Sequence, residues 1–462
     1  MRLEFYTDIL GTYCLILFEN NKGVMTLYRK YMKLFLPLIA FLMFSSCVKN
    51  IENPKNHDEK LGGSNHGLYM VSKDSGLLNN LYAGTENGCY ELFSGLGFHS
   101  NVIYTDYQSR SKIFLSSDAA SDHMSDSSTS YISDTYSMVR PVATKNKLLV
   151  FDTGSGSIAV NQYGEKALSK IISMDFNGEN KNKFYTFAAN EWMHDTSGVA
   201  CDKGDNLYFI ESYLDEEGYS EKKNIVTVNI NTGEKTELLT LDNTDRYFII
   251  GAYGDELVLK KATVPDRSKP FYQQLDSQKF EIILLNVDTL KTEKITEFGK
   301  EEKSVLCHDN MLYTLNAGNG NINAINLSTG EEEVVYTIKD STVNGVKYDS
   351  FSLRHDFYDG HILLDGIKSD GYKDFLAVDV NEKTVTKLEL YFDDNFCGIF
   401  AENSEYFYVQ TGEFTYKIEI PDPAGNTYTG DMRMMKMSLI KKADYWNNIP
   451  NFIEITDYAY GS

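Results

Sequence analysis

A turn of one kind recurs through the chain at intervals of about fifty residues. It reads Phe176-Asn-Gly-Glu, Ile230-Asn-Thr-Gly-Glu, Val287-Asp-Thr-Leu-Lys, Leu327-Ser-Thr-Gly-Glu and Val380-Asn-Glu-Lys-Thr, with apolar leaders 54, 57, 40 and 53 residues apart. A short apolar segment precedes each turn and another follows it. Because Asn, Asp and Gly tolerate the positive φ of tight strand connections, each turn predicts a β-hairpin.

A second turn leads each hairpin. It reads Lys145-Asn-Lys-Leu-Leu-Val, Gly204-Asp-Asn-Leu-Tyr-Phe, Gly254-Asp-Glu-Leu-Val-Leu, His308-Asp-Asn-Met-Leu-Tyr, Tyr358-Asp-Gly-His-Ile-Leu and Asn403-Ser-Glu-Tyr-Phe-Tyr. One unit therefore has four strands. Four-stranded units at this period are typical of an all-β fold, the β-propeller, in which neighbouring blades stack around a channel.

The units predict blades near 147–188, 198–240, 247–297, 303–337, 349–390 and 397–456. Three more strands are predicted upstream, at 88–93, 101–107 and 112–115. The count favours seven blades, with six and eight as alternatives. We expect an N-terminal strand such as Leu68–Val71 to complete the ring beside the last blade.

The segment Met32–Cys47 has a basic start, an apolar run Leu34–Phe44 and then Ser-Ser-Cys, and it resembles a bacterial lipoprotein signal. The run is shorter than the roughly 18 to 20 residues that cross a membrane. Phe44 stands where the lipobox of such a signal usually carries Leu or another aliphatic residue. Cys47 is therefore the predicted lipidation site, after an extension and signal peptide at 1–46. Residues 47–66 would form a tether, and 67–462 a single propeller on the extracytoplasmic face of the cell membrane.

The chain is strongly acidic, with a net charge of −22. Without residues 1–46 it has 39 Lys and Arg against 63 Asp and Glu, a net charge of −24. Such a field repels phosphate backbones and anionic lipid surfaces, so we expect no nucleic-acid partner. Membrane attachment would depend on the lipid at Cys47.

Four cysteines follow Cys47, and their even number outside the cytoplasm invites a disulfide interpretation. They lie 112, 106 and 90 positions apart, in separate apolar segments: Cys89, Cys201, Cys307 and Cys397. That spacing favours buried free thiols.

Three places carry a resemblance to a family. They are the signal ending at Cys47, the C-terminal stretch 439–455, and the stretch 103–115 followed by His123. In these the mature chain resembles the β-propeller surface lipoproteins of Gram-positive gut bacteria, mostly of unassigned function. Members often carry a Cys-x4-Cys-x-His-x4-Cys cluster after the third stretch. This chain has Ser116, Ser121, His123 and Ser128 at the matching spacing, so it keeps only the His of that cluster and departs from the metal or disulfide role that the resemblance implies.

Three other motifs have both a functional and an ordinary structural interpretation. Asp152-Thr-Gly-Ser matches one half of a pepsin-like site, but no second Asp-Thr-Gly exists, which favours a strand ending in a turn. His355 and His361 flank Asp356 and Asp359 in what reads as one short loop, where turn roles are favoured over metal binding. Met432-Arg-Met-Met-Lys-Met is predicted to pack a strand of the last blade. No cofactor is predicted, and the low-complexity stretch 116–130 is predicted to be a mobile surface loop.

The loops at 189–197, 212–222, 262–279 and 367–373 are predicted to share one face of the propeller. Large rings beside carboxylates and amides suit sugar or peptide recognition, since apolar faces stack while polar edges select. The candidate ligand residues are Trp192, His194, Tyr213, Tyr219, Phe271, Tyr272, His355 and Tyr372. We place Trp192 in an inter-blade loop outside any strand.

The favoured function is a monomeric, membrane-anchored module that binds or scaffolds a glycan, a peptide or an envelope protein. The alternative is a polysaccharide lyase or hydrolase on the same scaffold. No catalytic residue can be selected from the sequence, and binding is favoured over catalysis.

Overall fold

The computed structural model describes residues 66–72, 81–94, 98–116, 118, 121, 123–135, 139–153, 164–193, 197–214, 221–264, 268, 273–274, 277–299, 304–316, 319–421 and 427–460. The predicted signal, Cys47 and the tether up to residue 65 lie outside these residues. The chain divides into two compact units. The larger holds Asn56–Gly412 and Met437–Ser462, and the smaller includes Glu413–Lys436.

Strands dominate the described residues of both units. In chain order they are β1 (Tyr69–Met70), β2 (Tyr82–Gly84), β3 (Gly88–Ser94), β4 (His99–Asp106), β5 (Ser111–Phe114), β6 (Tyr131–Ser133), β7 (Val139–Ala143), β8 (Leu148–Asp152), β9 (Lys170–Met174), β10 (Asn182–Thr186), β11 (Glu191–Met193), β12 (Ala200–Cys201), β13 (Asn206–Leu214), β14 (Glu221–Asn229), β15 (Lys235–Leu241), β16 (Arg246–Tyr253), β17 (Glu256–Thr263), β18 (Lys279–Asn286), β19 (Thr292–Phe298), β20 (Val305–His308), β21 (Met311–Asn316), β22 (Asn321–Asn326), β23 (Glu332–Thr337), β24 (Thr342–Val343), β25 (Val346–Lys347), β26 (Ser350–Tyr358), β27 (His361–Ile367), β28 (Lys373–Asp379), β29 (Thr384–Leu388), β30 (Tyr391–Phe392), β31 (Asn395–Phe396), β32 (Ile399–Glu402), β33 (Tyr406–Pro421), β34 (Thr427–Lys441), β35 (Ile453–Glu454) and β36 (Thr456–Asp457). The α-helix α1 spans Lys442–Trp446, and short 3-10 turns span Gly164–Ala167 and Lys339–Ser341.

The strands form the predicted seven-bladed β-propeller. Its antiparallel sheets are β2–β5, β7–β10, β12–β15, β16–β19, β20–β23, β26–β29 and β32–β35. The first strands of neighbouring blades touch, for example β2 with β7 and β16 with β20, so they are the innermost strands of the ring. The blade ranges predicted from the sequence did not include β2 and β7, which are the first strands of blades 1 and 2.

The recurrent turn is built by one side chain that caps the end of the third strand. Asn229 Oδ1 accepts hydrogen bonds from the backbone N–H groups of Asn231 (3.0 Å) and Thr232 (3.1 Å). Gly233, with φ of 71°, then occupies the left-handed position. Asn286, Asn326 and Asp379 accept the same kind of bond in their blades. The repeat therefore encodes a hairpin whose turn is specified by an Asn or Asp.

Apolar contacts hold most of the blades together. Six hydrophobic clusters of the described residues join blades 1 and 2, 2 and 3, 3 and 4, 4 and 5, 5 and 6, and 6 and 7. No such cluster of described residues joins blade 7 to blade 1. There Thr105 and Tyr408 are hydrogen bonded (3.1 Å), and Tyr82 packs edge-on against Phe400 with ring centroids 5.0 Å apart.

The ring of blades is not closed in the way that the sequence predicted. β1 does not lie beside the last blade; it pairs with β12, the first strand of blade 3. Closure comes instead from the C-terminus, because β36 pairs in parallel with β5 at the outer edge of blade 1. A two-residue strand carries too little pattern to specify its partner, so tertiary contacts decide the pairing.

The smaller unit contains parts of β33 and β34. Two ion pairs connect these strands, one between Lys417 and Asp431 and one between Arg433 Nε and Glu413 Oε2 at 3.3 Å. Met432 and Met434 are partly buried in β34. The predicted strand through the methionines is therefore present.

Candidate ligand-binding face

The direction of the strands sorts the loops onto two faces. We call the face where the second strand of each blade ends the inter-blade face; Trp192, Leu214 and Tyr372 lie there. We call the opposite face, where first and second strands are joined by turns such as Gly254-Asp255, the hairpin face.

Trp192 is not in a loop, as the sequence suggested, but in the short strand β11. It pairs with Ser212 of β13, on the edge of β13 that also pairs with β12. β11 and β12 both lie on the inner edge of β13, so β11 faces the channel at the inter-blade face. Asn190 fixes this segment, since its backbone oxygen and its Nδ2 both bond to Leu214 at 2.9 Å. Trp192 itself is partly exposed.

A charged cluster lies close to this strand. Tyr213 pairs with Glu191 across β13 and β11. Glu211 is buried, and its carboxylate accepts hydrogen bonds from Lys235 (3.0 Å) and from the Tyr185 hydroxyl (3.1 Å). Lys235 also lies 3.4 Å from Glu191. Burial raises the pKa of the Glu211 carboxyl, although the bond from Lys235 opposes the change. One ammonium thus bridges two carboxylates at the boundary of blades 2 and 3.

The other candidate residues are spread around the ring. Tyr372 is 72% exposed in the turn between β27 and β28, where its N–H donates to Asp370 Oδ1 at 3.0 Å. His355 lies inside strand β26 and not in a loop, so the predicted His355–His361 loop is wrong. His361 lies at the hairpin face and stacks on Trp446 with ring centroids 3.9 Å apart. His194, Tyr219, Phe271 and Tyr272 lie outside the described residues.

A small cavity opens at the inter-blade face of blade 2. Its volume is about 190 Å3, and its lining residues are Asp134, Glu165, Lys166, Leu168, Lys170, Lys183 and Thr186. Lys170 pairs across the hairpin with Asp152 of the Asp-Thr-Gly motif, with Nζ and Oδ2 3.5 Å apart. Asp152 therefore ends a strand as an ion-pair partner, in agreement with the structural interpretation of that motif.

His66 is the last residue of the predicted tether, yet it is bonded to the hairpin face. Its Nδ1 lies 3.1 Å from Asp202 Oδ2 and its Nε2 lies 2.7 Å from Asp288 Oδ1. Its N–H donates to Asp255 Oδ1 at 2.8 Å. Partial burial lowers the pKa of His66, but the hydrogen bonds to Asp202 and Asp288 outweigh this and raise it overall. The chain therefore enters the propeller on the face opposite Trp192.

Described residues of the serine-rich stretch 116–130 form hydrogen bonds with one another. His123 Nδ1 lies 3.1 Å from Ser128 Oγ, and its N–H donates to Ser121 Oγ at 3.1 Å. Ser128 and Ser130 are buried, in contrast to a surface loop. Three of the four positions that match the Cys and His pattern thus do meet in space, through hydroxyl groups.

Two features are absent from the described residues. No group of three or more His, Cys, Asp or Glu side chains among them is arranged to hold a metal ion. In the same part of the chain, no helix has the length and apolar character needed to traverse a lipid bilayer.

Comparison with known proteins relates the chain to others through its fold. No protein-family model matches it, and no curated protein matches it in sequence. A puromycin-hydrolyzing peptidase of Mycobacterium tuberculosis is similar with a TM-score of 0.47 and 12% identity, over 80% of this chain and 52% of the peptidase. The β-propeller domain of the Trilobed protease from Pyrococcus furiosus gives 0.45 and 10%, over 86% and 99%. An oligogalacturonate lyase in complex with manganese gives 0.39 and 11%, over 82% and 95%. The chain spans about half the length of the first peptidase.

The cavity and the Glu211 cluster were not predicted from the sequence. Lys170 begins an apolar strand and Asp152 ends the preceding one. Aligning the two strands as a hairpin would have placed these two charged residues opposite each other, so this pair had a signal in the sequence. The bridge from Lys235 to Glu191 joins segments 44 residues apart and has no comparable local signal.

Proposed function

We propose that this protein is a membrane-anchored extracytoplasmic lipoprotein whose propeller binds a glycan at the inter-blade face. The observation that carries the proposal is Trp192, a partly exposed ring held on a paired strand beside the channel. A ring fixed on a strand offers a pre-organised stacking surface, and polar groups nearby select among ligands. Peptides and envelope proteins are the other ligands that such a face suits.

The entry of the chain supports this arrangement. His66 is bonded at the hairpin face, and Cys47 precedes it by only nineteen residues. A lipid on Cys47 would therefore attach to the membrane from the side opposite Trp192. The inter-blade face would be left open to ligands outside the cell.

The test begins with glycan-array and activity screening of the full-length chain. For a glycan that binds, Trp192→Ala should weaken affinity by roughly 1–3 kcal/mol with little change in melting temperature. Tyr458→Ala is the matched control, because Tyr458 is an exposed ring, 67% accessible, beside the C-terminal strand β36. A large drop in melting temperature with unchanged affinity would refute Trp192 as the binding platform.

Other outcomes would identify a different function. Turnover of a polysaccharide would favour the lyase or hydrolase alternative, and co-purification of an envelope protein without glycan binding would favour a scaffold. Membrane attachment is tested separately: Cys47→Ala should move the protein from the membrane pellet to the soluble fraction. Wild-type recovery of that variant in the pellet would contradict the lipid anchor.

A further inference from the structure

The cavity of blade 2 has an unusual charge for this chain. Three of its lining residues are lysines, Lys166, Lys170 and Lys183, although the chain as a whole has a net charge of −22. They converge from the Gly164–Ala167 turn, the start of β9 and the strand β10. Asp134 and Glu165 also line the cavity, so its three positive charges exceed its two negative ones, and this small positive excess attracts anions.

Lys170 forms the buried part of the cavity wall. Its side chain is 6% exposed, and that of its partner Asp152 is 1% exposed. Its ammonium also donates to the backbone oxygens of Asp134 and Lys166. The Lys170–Asp152 pair is thus held in place by the backbone on both sides.

The other two ammonium groups are less compensated. Lys166 lies 3.5 Å from Asp134, but both side chains are largely in solvent, where such a pair contributes little. Lys183 makes no ion pair with any residue that the structure describes. Burial lowers the pKa of Lys170 most, the carboxylates of Asp152 and Asp134 oppose that change, and the charge of Lys183 adds a smaller lowering effect. A bound anion would relieve this repulsion.

We propose that the cavity lined by Lys166, Lys170 and Lys183 binds the anionic group of an acidic saccharide, a carboxylate or a sulfate ester. Its volume of about 190 Å3 is below the roughly 300–1,000 Å3 of sites that enclose a whole drug-sized ligand. It therefore suits one sugar residue. The hydroxyl of Thr186 and the carboxylate of Glu165 are available to bond sugar hydroxyl groups at the same rim.

The saccharide part of this inference rests on the proposed function, whereas the anion affinity of the cavity does not. Titration calorimetry of the full-length chain with sodium glucuronate, glucose and sodium sulfate, at constant ionic strength, measures both. We expect glucuronate to bind and glucose to bind at least tenfold more weakly. Lys183→Gln should weaken glucuronate binding about tenfold, as expected for loss of a charge-assisted hydrogen bond.

Lys347→Gln is the matched control, because Lys347 is an exposed lysine on the link between blades 5 and 6. It should leave every affinity unchanged, and Lys183→Arg should restore binding. Sulfate binding that depends on Lys183 would support the site and assign it to sulfate esters. Absence of binding by both anions, or binding that neither Lys183→Gln nor Lys166→Gln weakens, would overturn the proposal. Because Trp192 is not part of the cavity, a loss of glycan binding in Trp192→Ala with intact glucuronate binding would separate the two sites.

Discussion

Lys112 and Glu91 form an ion pair inside blade 1, and both side chains are almost completely buried. They lie where β36 attaches to the blade, since Asp457 Oδ2 is 3.6 Å from the Lys112 ammonium and the Tyr460 ring centre is 4.8 Å from it. Burial raises the pKa of the Glu91 carboxyl, and the charge of Lys112 opposes that change. Charged groups thus hold the C-terminal segment to the blade next to the closure of the ring.

Removing Lys112 should destabilise the protein strongly. Lys112→Met leaves the Glu91 carboxylate buried without its ammonium, which costs about 3–5 kcal/mol. Urea unfolding of the two proteins measures the difference. The double variant Lys112→Met/Glu91→Gln should regain part of the loss, because the Glu91 charge is then removed as well and only Asp457 lacks its ammonium partner. Equal stabilities of wild type and Lys112→Met would contradict the role of the pair.

The C-terminal strand should contribute to the stability of the whole ring. Truncation after Glu454 removes β36 and the ring of Tyr460, which packs on Phe93 with centroids 5.4 Å apart. We expect the melting temperature to fall by several degrees, since one buried aromatic side chain alone is worth about 3 kcal/mol. Truncation after Tyr460 is the control and should have no effect. An unchanged melting temperature in the shorter variant would show that β36 is dispensable.

Attachment of His66 should depend on pH. Because its pKa is raised in the folded protein, its stabilising contribution is complete below the unfolded value of about 6.5 and is lost as the pH rises through the folded value. The melting temperatures of wild type and His66→Gln should therefore differ most at pH 5.5 to 6 and converge at higher pH. A difference that is constant between pH 5.5 and 8.5 would refute this linkage.

The four propeller cysteines should be unreactive thiols. Cys89, Cys201, Cys307 and Cys397 are all buried, and none of them forms a disulfide bond with another described residue. Burial raises the pKa of Cys201 to about 12 and that of Cys397 to about 11, so little thiolate exists at neutral pH. Alkylation of the native protein should label none of them. After denaturation without reductant, peptide mapping should find all four labelled, and a disulfide-linked peptide would contradict the structure.

The repeating part of the fold could be predicted because its determinants are local. Asn229 and Asn326 each specify a turn within four residues, and the apolar runs beside them supply the strands. The same turn recurs in several blades, so the period gave the architecture and nearly the correct bounds. The thiol state followed from the separation of the cysteines in sequence.

The site could be predicted only in part, because its geometry depends on contacts between distant segments. Trp192 was predicted as a candidate, but not its strand. That strand forms because β12 covers only the first part of the inner edge of β13, and Glu191–Met193 pairs with the remaining part. His66 read as part of a polar tether, since its partner Asp288 lies 222 residues away. The cavity lined by Lys166, Lys170 and Lys183 likewise forms only where the Gly164–Ala167 turn, β9 and β10 come together.

Each of the seven four-stranded sheets is made of consecutive strands, and β1 and β36 add to sheets that are already complete. In genetic terms, a blade is a single uninterrupted stretch of coding sequence. An in-frame duplication or loss of one such stretch changes the ring by one whole blade and leaves every other sheet intact. Ring size in proteins built this way can therefore change in one mutational event, without any remaining four-stranded sheet having to exchange a strand.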